Sequence, residues 1–367
     1  MASTTSDSAF VYVGTYTDYG PDPRGDGEGI YIYRLDPTTS ALQRVSITAD
    51  VPNPSFLTVH PNGRTLYAVN ETTTTDGQAG GAVRSFAIDP AGVLTPLNRQ
   101  PSHGSDPCHL SVDGSGQVVL VANYTSGSVA VLPVEADGRL GPASDVRQHA
   151  GSSVDPDRQA GPHAHFIAPD PTNRFALVAD LGLDQVVTYR LDLAAGTLLP
   201  TEAPPTALQP GSGPRHLAFH PTLAVLYVIN ELASTISTCR WDATIGSAEI
   251  IETISTLPAG FTGQNSCAEI RVAPSGRFVY GSNRGHDSIA IFAVDQSRGT
   301  LKATGHVATH GKSPRNFTID PSGRLLFAAN QESSSIMTFG IDADTGGLRE
   351  IGQFTYLPSP VCIRFGL

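Results

Sequence analysis

Apolar and polar positions along the chain follow a hairpin pattern that recurs throughout its length. In residues 213–231, GPRHLAFHPTLAVLYVINE, a polar opening leads into one apolar run, turns at His-Pro and returns through a second apolar run that ends at Asn-Glu. Short apolar runs separated by turn residues predict antiparallel β-hairpins. Five further stretches repeat the pattern, at residues 53–71, 106–124, 164–181, 266–284 and 313–331.

A seventh copy is divided between the two ends of the chain. SPVCIRFGL (359–367) supplies its first half and FVYVGT (10–15) its second half. The position that closes each copy recurs every 47 to 57 residues, with 51 residues through the joined ends. In chain order the closing residues are Gly14, Asn70, Asn123, Asp180, Asn230, Asn283 and Asn330. The two ends therefore complete one repeat.

A second strand pair follows each hairpin. DQVVTYRLDLAAGTLLP and STISTCRWDATIGSAEI, for example, each contain an alternating apolar strand, a turn and a short polar strand. Each repeat thus predicts about four antiparallel strands. Seven such units predict an all-β fold, a seven-bladed β-propeller that forms a single domain over residues 1–367, with one blade closed by the N- and C-terminal strands. A linear solenoid would need polar caps, whereas both ends here look like half a blade.

Composition narrows the range of partners. The formal net charge is −11, which argues against a nucleic acid or an anionic membrane as partner, because phosphate contacts need a concentrated basic surface. The start, MASTTSDSAF, lacks the pattern of a secretory signal, and no stretch approaches the roughly 20 apolar residues of a membrane span. The four cysteines are scattered, which predicts neither a disulfide framework nor a thiolate zinc site. We expect a cytoplasmic monomer or small homo-oligomer without a cofactor.

Propeller geometry places two sets of repeat positions around one mouth of the central channel. The start of each first strand and the end of each second strand lie on the same face, because the two strands are antiparallel. The first ring, just after the opening Pro position, consists of Ser55, Cys108, His165, Arg215, Ala268, Arg315 and Val361. The second ring, just after the closing position, consists of Thr15, Glu71, Tyr124, Leu181, Glu231, Arg284 and Gln331. The charged members predict a site for an anionic, oxygen-rich small molecule.

Several candidates also have a structural interpretation. Arg215 and Arg315 could pair with Glu231 and with acids of neighbouring blades as struts between blades, an alternative that stays open for Arg315 and is less favoured for Arg215. Glu71 could cap the turn before TTTTDGQAGG. His109 and His216 lie one position beyond the first ring, where a role in blade packing is favoured.

Two segments carry weak metal-site patterns. His163 and His165 form an H-x-H in PHAH, but no cysteine or evident third ligand accompanies them, so no metal is predicted. The segment DYGPDPRGDGEG (18–29) lacks the ligand register of a calcium loop and is predicted to be a flexible surface loop.

Taken together, the motifs resemble a known family. FVYVGTYT, HFIAPDPTNRFALVADLG, GPRHLAFHP with LYVINEL, GRFVYGSNRGHDSIAIF and SPRNFTIDPSGRLLFAANQ are similar to the seven-bladed propeller lactonase family, which includes the bacterial propeller-type 6-phosphogluconolactonases and the fungal 3-carboxy-cis,cis-muconate lactonizing enzyme. The resemblance covers essentially the whole chain. It implies catalytic residues at His165, Arg215, Glu231 and Arg284. We add as candidate substrate-binding residues His163, Arg315, Glu71 and Gln331.

The resemblance and the two rings favour a lactonase that hydrolyses a small anionic sugar lactone, with 6-phosphogluconolactone as the favoured substrate. Glu231 or His165 would act as the general base on the attacking water. Arg215 and Arg284 would hold the anionic group and stabilise the developing oxyanion.

Two alternatives are a 3-carboxy-cis,cis-muconate cycloisomerase, which would use the same arginines, and a non-catalytic propeller that binds protein partners. The second alternative would require apolar loop patches, whereas the loops are mainly Gly, Asp, Ser, Thr and Pro.

Overall fold

The computed structural model describes residues 9–20, 22 and 24–366, which form strands joined by turns and loops, with no helix among them. The strands up to residue 133 are β1 (Phe10–Thr15), β2 (Gly29–Leu35), β3 (Leu42–Ala49), β4 (Leu57–Val59), β5 (Thr65–Asn70), β6 (Thr74–Thr75), β7 (Gln78–Ala79), β8 (Ala82–Ile88), β9 (Leu94–Pro101), β10 (Pro107–Val112), β11 (Val118–Asn123) and β12 (Ser128–Pro133). The next are β13 (Asp145–Gln148), β14 (Ala164–Pro169), β15 (Phe175–Asp180), β16 (Gln185–Asp192), β17 (Thr197–Pro200), β18 (Thr206–Ala207), β19 (Pro214–Phe219), β20 (Val225–Asn230), β21 (Thr235–Asp242) and β22 (Ser247–Ser255). The last are β23 (Ser266–Val272), β24 (Phe278–Arg284), β25 (Ser288–Val294), β26 (Leu301–Ala308), β27 (Pro314–Ile319), β28 (Leu325–Asn330), β29 (Ser335–Ile341), β30 (Leu348–Tyr356) and β31 (Pro360–Phe365).

Seven antiparallel sheets are the blades of a propeller, and β6 and β7 form a separate two-stranded hairpin. The first blade has the order β31-β1-β2-β3, so the C-terminal strand lies innermost beside the N-terminal strand. The other blades, from channel to rim, are β4-β5-β8-β9, β10 to β13, β14 to β17, β19 to β22, β23 to β26 and β27 to β30. The short β18 adds to the fourth blade beside β16. The predicted all-β, seven-bladed architecture and its closure by the two chain ends are confirmed.

Burial decreases from the inner strands to the rim of each blade. All six positions are buried in β5, β11, β15 and β20, the second strands of their blades. Both faces of such a strand pack against neighbouring blades, which explains its continuous apolar sequence. The outermost strand β22 alternates between exposed and half-buried residues because only one of its faces packs inward.

The Asn that closes most hairpins has a structural role. Nδ2 of Asn123 donates to the carbonyl of Ser102 at 3.0 Å, and Nδ2 of Asn283 donates to the carbonyl of Thr256 at 2.9 Å. Asn330 makes the equivalent contact. The amide thus ties the second strand of one blade to the chain that leaves the preceding blade, a requirement that recurs around the ring.

Asp180 replaces this Asn in the fourth blade. A carboxylate has no N–H to donate, and here it accepts instead, from Nδ1 of His149 at 2.6 Å and from the backbone N–H of His163 at 2.7 Å. His149 follows β13 as Ser102 follows β9 in the blade before it. At this one junction, therefore, the closing residue of the hairpin accepts the hydrogen bond, and the residue that follows the preceding blade donates it.

Candidate active site

His165, Arg215 and Arg315 of the first ring lie on β-bulges in the channel-lining strands. The register between β14 and β15 shifts between Ala164 and Phe166, which makes His165 the extra residue. The same shift occurs around Arg215 in β19 and Arg315 in β27. A bulge re-aims a side chain that regular pairing would direct elsewhere. The bulges thereby direct ring residues toward the channel mouth.

A cavity of about 450 Å³ occupies this mouth, within the size range of small-molecule sites. The ring residues that line it are Glu71, Cys108, Tyr124, His165, Glu231, Arg284 and Arg315. The lining residues from outside the rings are Tyr16, Arg24, Asp106, Thr125, Arg158 and Ser266. Arg215 lies at an adjoining cavity of about 10 Å³, which has room for one water and which His165 also lines.

Three arginines surround Glu231. Nη2 of Arg158 donates to Oε1 of Glu231 at 2.7 Å. Nε of Arg215 and Nη2 of Arg284 each lie 2.9 Å from Oε2, within ion-pair distance. These cations come from different elements, because Arg215 begins the same blade, Arg284 ends a strand of the next blade and Arg158 belongs to the loop before β14.

This arrangement sets the charge of Glu231. Burial alone would raise the pKa of Glu231, but Arg284 and Arg215 hold that pKa well below its usual range. Burial, together with the neighbouring Arg284 and Arg315, lowers the pKa of Arg215 to about 10. At neutral pH Glu231 is therefore ionised and has little tendency to accept a proton, while Arg215 remains charged.

His165 lies buried beside this cluster. Its Nδ1 has no hydrogen-bond partner among the described residues. The ring packs edge-on against Tyr124 and His216, with centroids 5.5 and 5.3 Å away. Burial, followed by the charge of Arg215, lowers the pKa of His165 well below its ordinary value. The imidazole is therefore neutral at neutral pH and retains an acceptor nitrogen.

Glu71 occupies the position equivalent to Glu231 on another blade. The hydroxyl of Tyr16 donates to its two carboxylate oxygens at 3.0 and 3.1 Å. Arg24 pairs with Glu71 and with Asp106. Nη2 of Arg315 donates to the Tyr16 hydroxyl at 2.9 Å. The Glu71 carboxylate thus belongs to a network at the cavity wall, rather than capping the turn that follows it.

A buried network of polar side chains supports Arg215. Nδ1 of His216 lies 3.2 Å from Oε1 of Glu269, whose Oε2 accepts from Asn316. Nη1 of Arg215 lies 3.4 Å from Nε2 of His216, so the ring donates to Glu269 and accepts from the arginine. His109 packs between two phenylalanine rings at 4.2 and 4.1 Å. His109 thus lies in blade packing, as favoured, whereas His216 belongs to the hydrogen-bonded network and lines the small cavity.

Two candidate binding residues lie outside the cavity lining. The ring of His163 stacks on that of Tyr124 at 4.6 Å, and its Nδ1 lies 3.0 Å from the Tyr124 carbonyl oxygen. Gln331 donates its backbone N–H to Ser313 and does not line the cavity. The other predicted site residues, including Arg315 and Glu71, converge on the two adjoining cavities.

Sequence reasoning missed Arg24 and Arg158, which come from loops outside the repeat. Arg24 belongs to the segment 18–29, which we predicted to be a flexible surface loop and did not include among the site residues. A signal was present in the spacing, because the two longest intervals between closing positions, 14 to 70 and 123 to 180, contain these arginines. Extra length between regular elements often marks a functional loop.

Neither a metal site nor a membrane span is found in the described part of the chain. No group of three or more His, Cys, Asp or Glu side chains there is arranged to hold a metal ion. No helix long and apolar enough to cross a membrane occurs among these residues.

Comparison with known proteins gives consistent matches. The family model described as lactonase, 7-bladed beta-propeller, matches residues 10–365. A Bacillus subtilis protein named 6-phosphogluconolactonase is 39% identical over 361 residues, covering 96% of this chain and 97% of the relative. A Formosa agariphila protein of the same name is 34% identical over 314 residues, covering 84% and 86%. The solved structure of a periplasmic gluconolactonase from Pseudomonas aeruginosa superposes with a TM-score of 0.89 at 34% identity, covering 98% of this chain and 99% of that one. The chain belongs to the seven-bladed β-propeller lactonase family.

Proposed function

We propose that this protein hydrolyses a sugar lactone, with 6-phosphogluconolactone as the preferred substrate. The relatives from Bacillus subtilis and Formosa agariphila carry the name of that activity. The observation that carries the proposal is the presence, around one pair of adjoining cavities, of a neutral His165 and the arginines grouped on Glu231. A base and a preorganised set of cations are the two components that accelerate attack of water on an ester.

His165 is the proposed general base. The alternative base, Glu231, holds its charge against three guanidinium groups, so removing a proton from water would weaken three ion pairs. The imidazole of His165 makes no such contact and stays neutral because of burial. Glu231 is better suited to position Arg215 and Arg284 than to accept a proton.

The proposed reaction proceeds by direct attack of water. His165 removes a proton as the water oxygen bonds to the lactone carbonyl carbon, and the carbonyl oxygen becomes an oxyanion that Arg215 and Arg284 stabilise. When the oxyanion collapses, the bond between the carbonyl carbon and the ring oxygen breaks. The protonated imidazole returns its proton to the leaving alkoxide, which yields a hydroxy acid.

A second candidate substrate is the unphosphorylated lactone, because the similar Pseudomonas aeruginosa protein is named a gluconolactonase. The comparisons give no support to the cycloisomerase alternative, which would use the same arginines to bind carboxylates.

The test is hydrolysis of freshly generated 6-phosphogluconolactone, followed by proton release at constant pH and corrected for spontaneous opening. We expect His165→Ala and His165→Gln to lower kcat/KM by about 10²- to 10⁴-fold, the usual contribution of a general base. A matched control is His310→Asn, because His310 is a surface residue paired with Glu350 and has a positive φ of 53° that Asn tolerates.

Wild-type turnover in a folded His165→Ala variant would exclude this residue as the base. Wild-type protein that opens neither lactone but converts 3-carboxymuconate would replace the lactonase proposal with the cycloisomerase.

A further inference from the structure

Arg315 differs from the other four arginines around the two cavities. Arg158, Arg215 and Arg284 pair with Glu231, and Arg24 pairs with Glu71 and Asp106. Among the described residues, no carboxylate lies within ion-pair distance of the Arg315 guanidinium. We propose that Arg315, oriented by Tyr16, binds the phosphoryl group of the substrate, an inference that rests on the proposed function.

The hydrogen bonds of Arg315 leave most of its donors available. A guanidinium carries five N–H donors. Only Nη2 makes a side-chain hydrogen bond in the described structure, to the Tyr16 hydroxyl at 2.9 Å, and the guanidinium carbon lies 5.3 Å from the centroid of the Tyr16 ring. Since Arg315 lines both cavities, its remaining N–H groups can meet a ligand that carries several acceptor oxygens.

Tyr16 fixes the orientation of this cation. Its hydroxyl donates to Glu71 and accepts from Arg315, so the two contacts define where the guanidinium lies. Burial raises the pKa of Tyr16 well above its ordinary value. The hydroxyl therefore keeps its proton and its direction of donation at neutral pH.

The formal charge around the cavities favours a dianion. Five arginines and three carboxylates leave an excess of two positive charges, in a chain whose overall net charge is −11. A phosphate monoester carries about −1.5 to −2 at pH 7. This excess belongs to the lining as a whole, because Glu71 and Asp106 balance Arg24 and Arg315 in number. A single carboxylate would neutralise only half of it, so a phosphorylated substrate is the better match.

The position of Arg315 separates this group from the reacting carbon. Arg315 begins the seventh blade in β27 and His165 begins the fourth blade in β14, so they lie three blades apart, the greatest separation in a ring of seven. In 6-phosphogluconolactone the phosphoryl group and the carbonyl carbon lie on different sides of the ring oxygen. Since Arg315 and His165 both line the larger cavity from these opposite blades, a substrate there can place its phosphoryl group at Arg315 and its carbonyl carbon at His165.

The experiment compares kcat/KM for 6-phosphoglucono-δ-lactone with kcat/KM for glucono-δ-lactone. In Arg315→Gln we expect the ratio of phosphorylated to unphosphorylated substrate to fall about 10- to 100-fold, because one charge-assisted contact to phosphate is lost. Arg315→Lys keeps the positive charge but lacks the planar, bidentate hydrogen-bonding geometry of a guanidinium, so the substrate ratio should fall only in part. Arg240→Gln is the matched control, since Arg240 is an exposed arginine paired with Glu249 on the surface.

The outcomes separate this inference from the proposed function. An unchanged ratio in folded Arg315→Gln and Arg315→Lys would overturn the phosphoryl subsite, even if both lactones are hydrolysed. Equal loss on both substrates would also overturn it, since Arg315 would then act on the lactone itself. Wild-type protein inactive on both lactones would instead refute the proposed function. Competitive inhibition by inorganic phosphate, weakened in Arg315→Lys, supports the subsite without relying on the substrate ratio.

Discussion

Glu71 and Glu231 occupy the same repeat position on two blades, yet they have different neighbours. Glu231 meets three guanidinium groups and makes no hydrogen bond to a tyrosine. Glu71 shares one guanidinium with Asp106 and accepts from the Tyr16 hydroxyl. The repeat therefore determines where a carboxylate lies, while the residues around it determine how strongly its negative charge is stabilised.

The difference divides the cavity into two halves with distinct chemistry. Around Glu231 three arginines share one carboxylate and lie near His165, which suits stabilisation of negative charge that develops during the reaction. Around Glu71 the adjacent Arg315 has no acidic partner among the described residues, which suits recognition of charge already present on a substrate.

The largest expected effect comes from neutralising each glutamate in turn. Glu231→Gln leaves Arg215 and Arg284 without their counter-charge, and we expect a loss of roughly 3–5 kcal/mol in the free energy of unfolding together with a fall in kcat/KM of about 10²- to 10³-fold. Glu71→Gln should cost only about 1–2 kcal/mol, because Arg24 keeps Asp106 and the Gln oxygen still accepts from Tyr16.

Urea unfolding at neutral pH measures both stabilities, and the lactone assay measures the rates. Equal costs for Glu231→Gln and Glu71→Gln would remove the distinction between the two halves.

Acid should destabilise the fold through three buried histidines. Burial holds the pKa of His109, His165 and His216 well below the ordinary value, so these rings stay neutral in the folded protein. In the unfolded chain they take up protons near pH 6.5, so the unfolded state binds more protons and stability falls as the pH drops below that value. Well below pH 6.5, the free energy of unfolding should fall by about 1.4 kcal/mol per pH unit for each histidine, or by about 4 kcal/mol per pH unit for all three. Glu231 adds to the loss only below about pH 4.5, where it protonates in the unfolded chain.

The measurement is the free energy of unfolding in urea at several pH values between about 7 and 5. His109→Phe provides the matched variant, because His109 lies between two phenylalanine rings and does not line either cavity. The difference in bound protons between the unfolded and folded states should fall by about one in this variant. A stability that is flat over this range would mean that the buried rings are protonated in the folded protein.

The regular part of the molecule could be predicted because the same physical requirements recur in most blades. Continuous apolar second strands, turn residues and the closing Asn follow from burial between blades and from one repeated hydrogen bond. The divided seventh copy then implied closure, and antiparallel pairing implied that His165, Arg215 and Glu231 would meet.

The remaining contacts of the site depend on side-chain length and loop geometry, about which a repeat pattern gives no information. Arg24 and Arg158 extend from loops with no counterpart in other blades, and their contacts are set by where each guanidinium ends. The support of Arg215 by His216 and Glu269 likewise crosses from one blade to the next. The two longest intervals between closing positions mark the loops that carry Arg24 and Arg158, but no spacing in the sequence specifies which side chains these arginines contact.

The smallest expected effect concerns the position just before the second ring, which should be purely structural. Asp180→Asn restores the residue found in most other blades, but the amide then meets the imidazole of His149 where the carboxylate accepted its N–H at 2.6 Å. We expect a loss of about 1–2 kcal/mol in the free energy of unfolding, the cost of a mismatched buried hydrogen bond. Adding His149→Ser recreates the residue pair formed by Asn123 and Ser102 and should recover part of that loss.

A double-mutant cycle over Asp180→Asn and His149→Ser measures the coupling, with kcat/KM as a second readout. Strong coupling in stability with kcat/KM nearly constant would separate the structural position from the chemical one beside it, whereas a parallel loss of activity would show that the two positions act together.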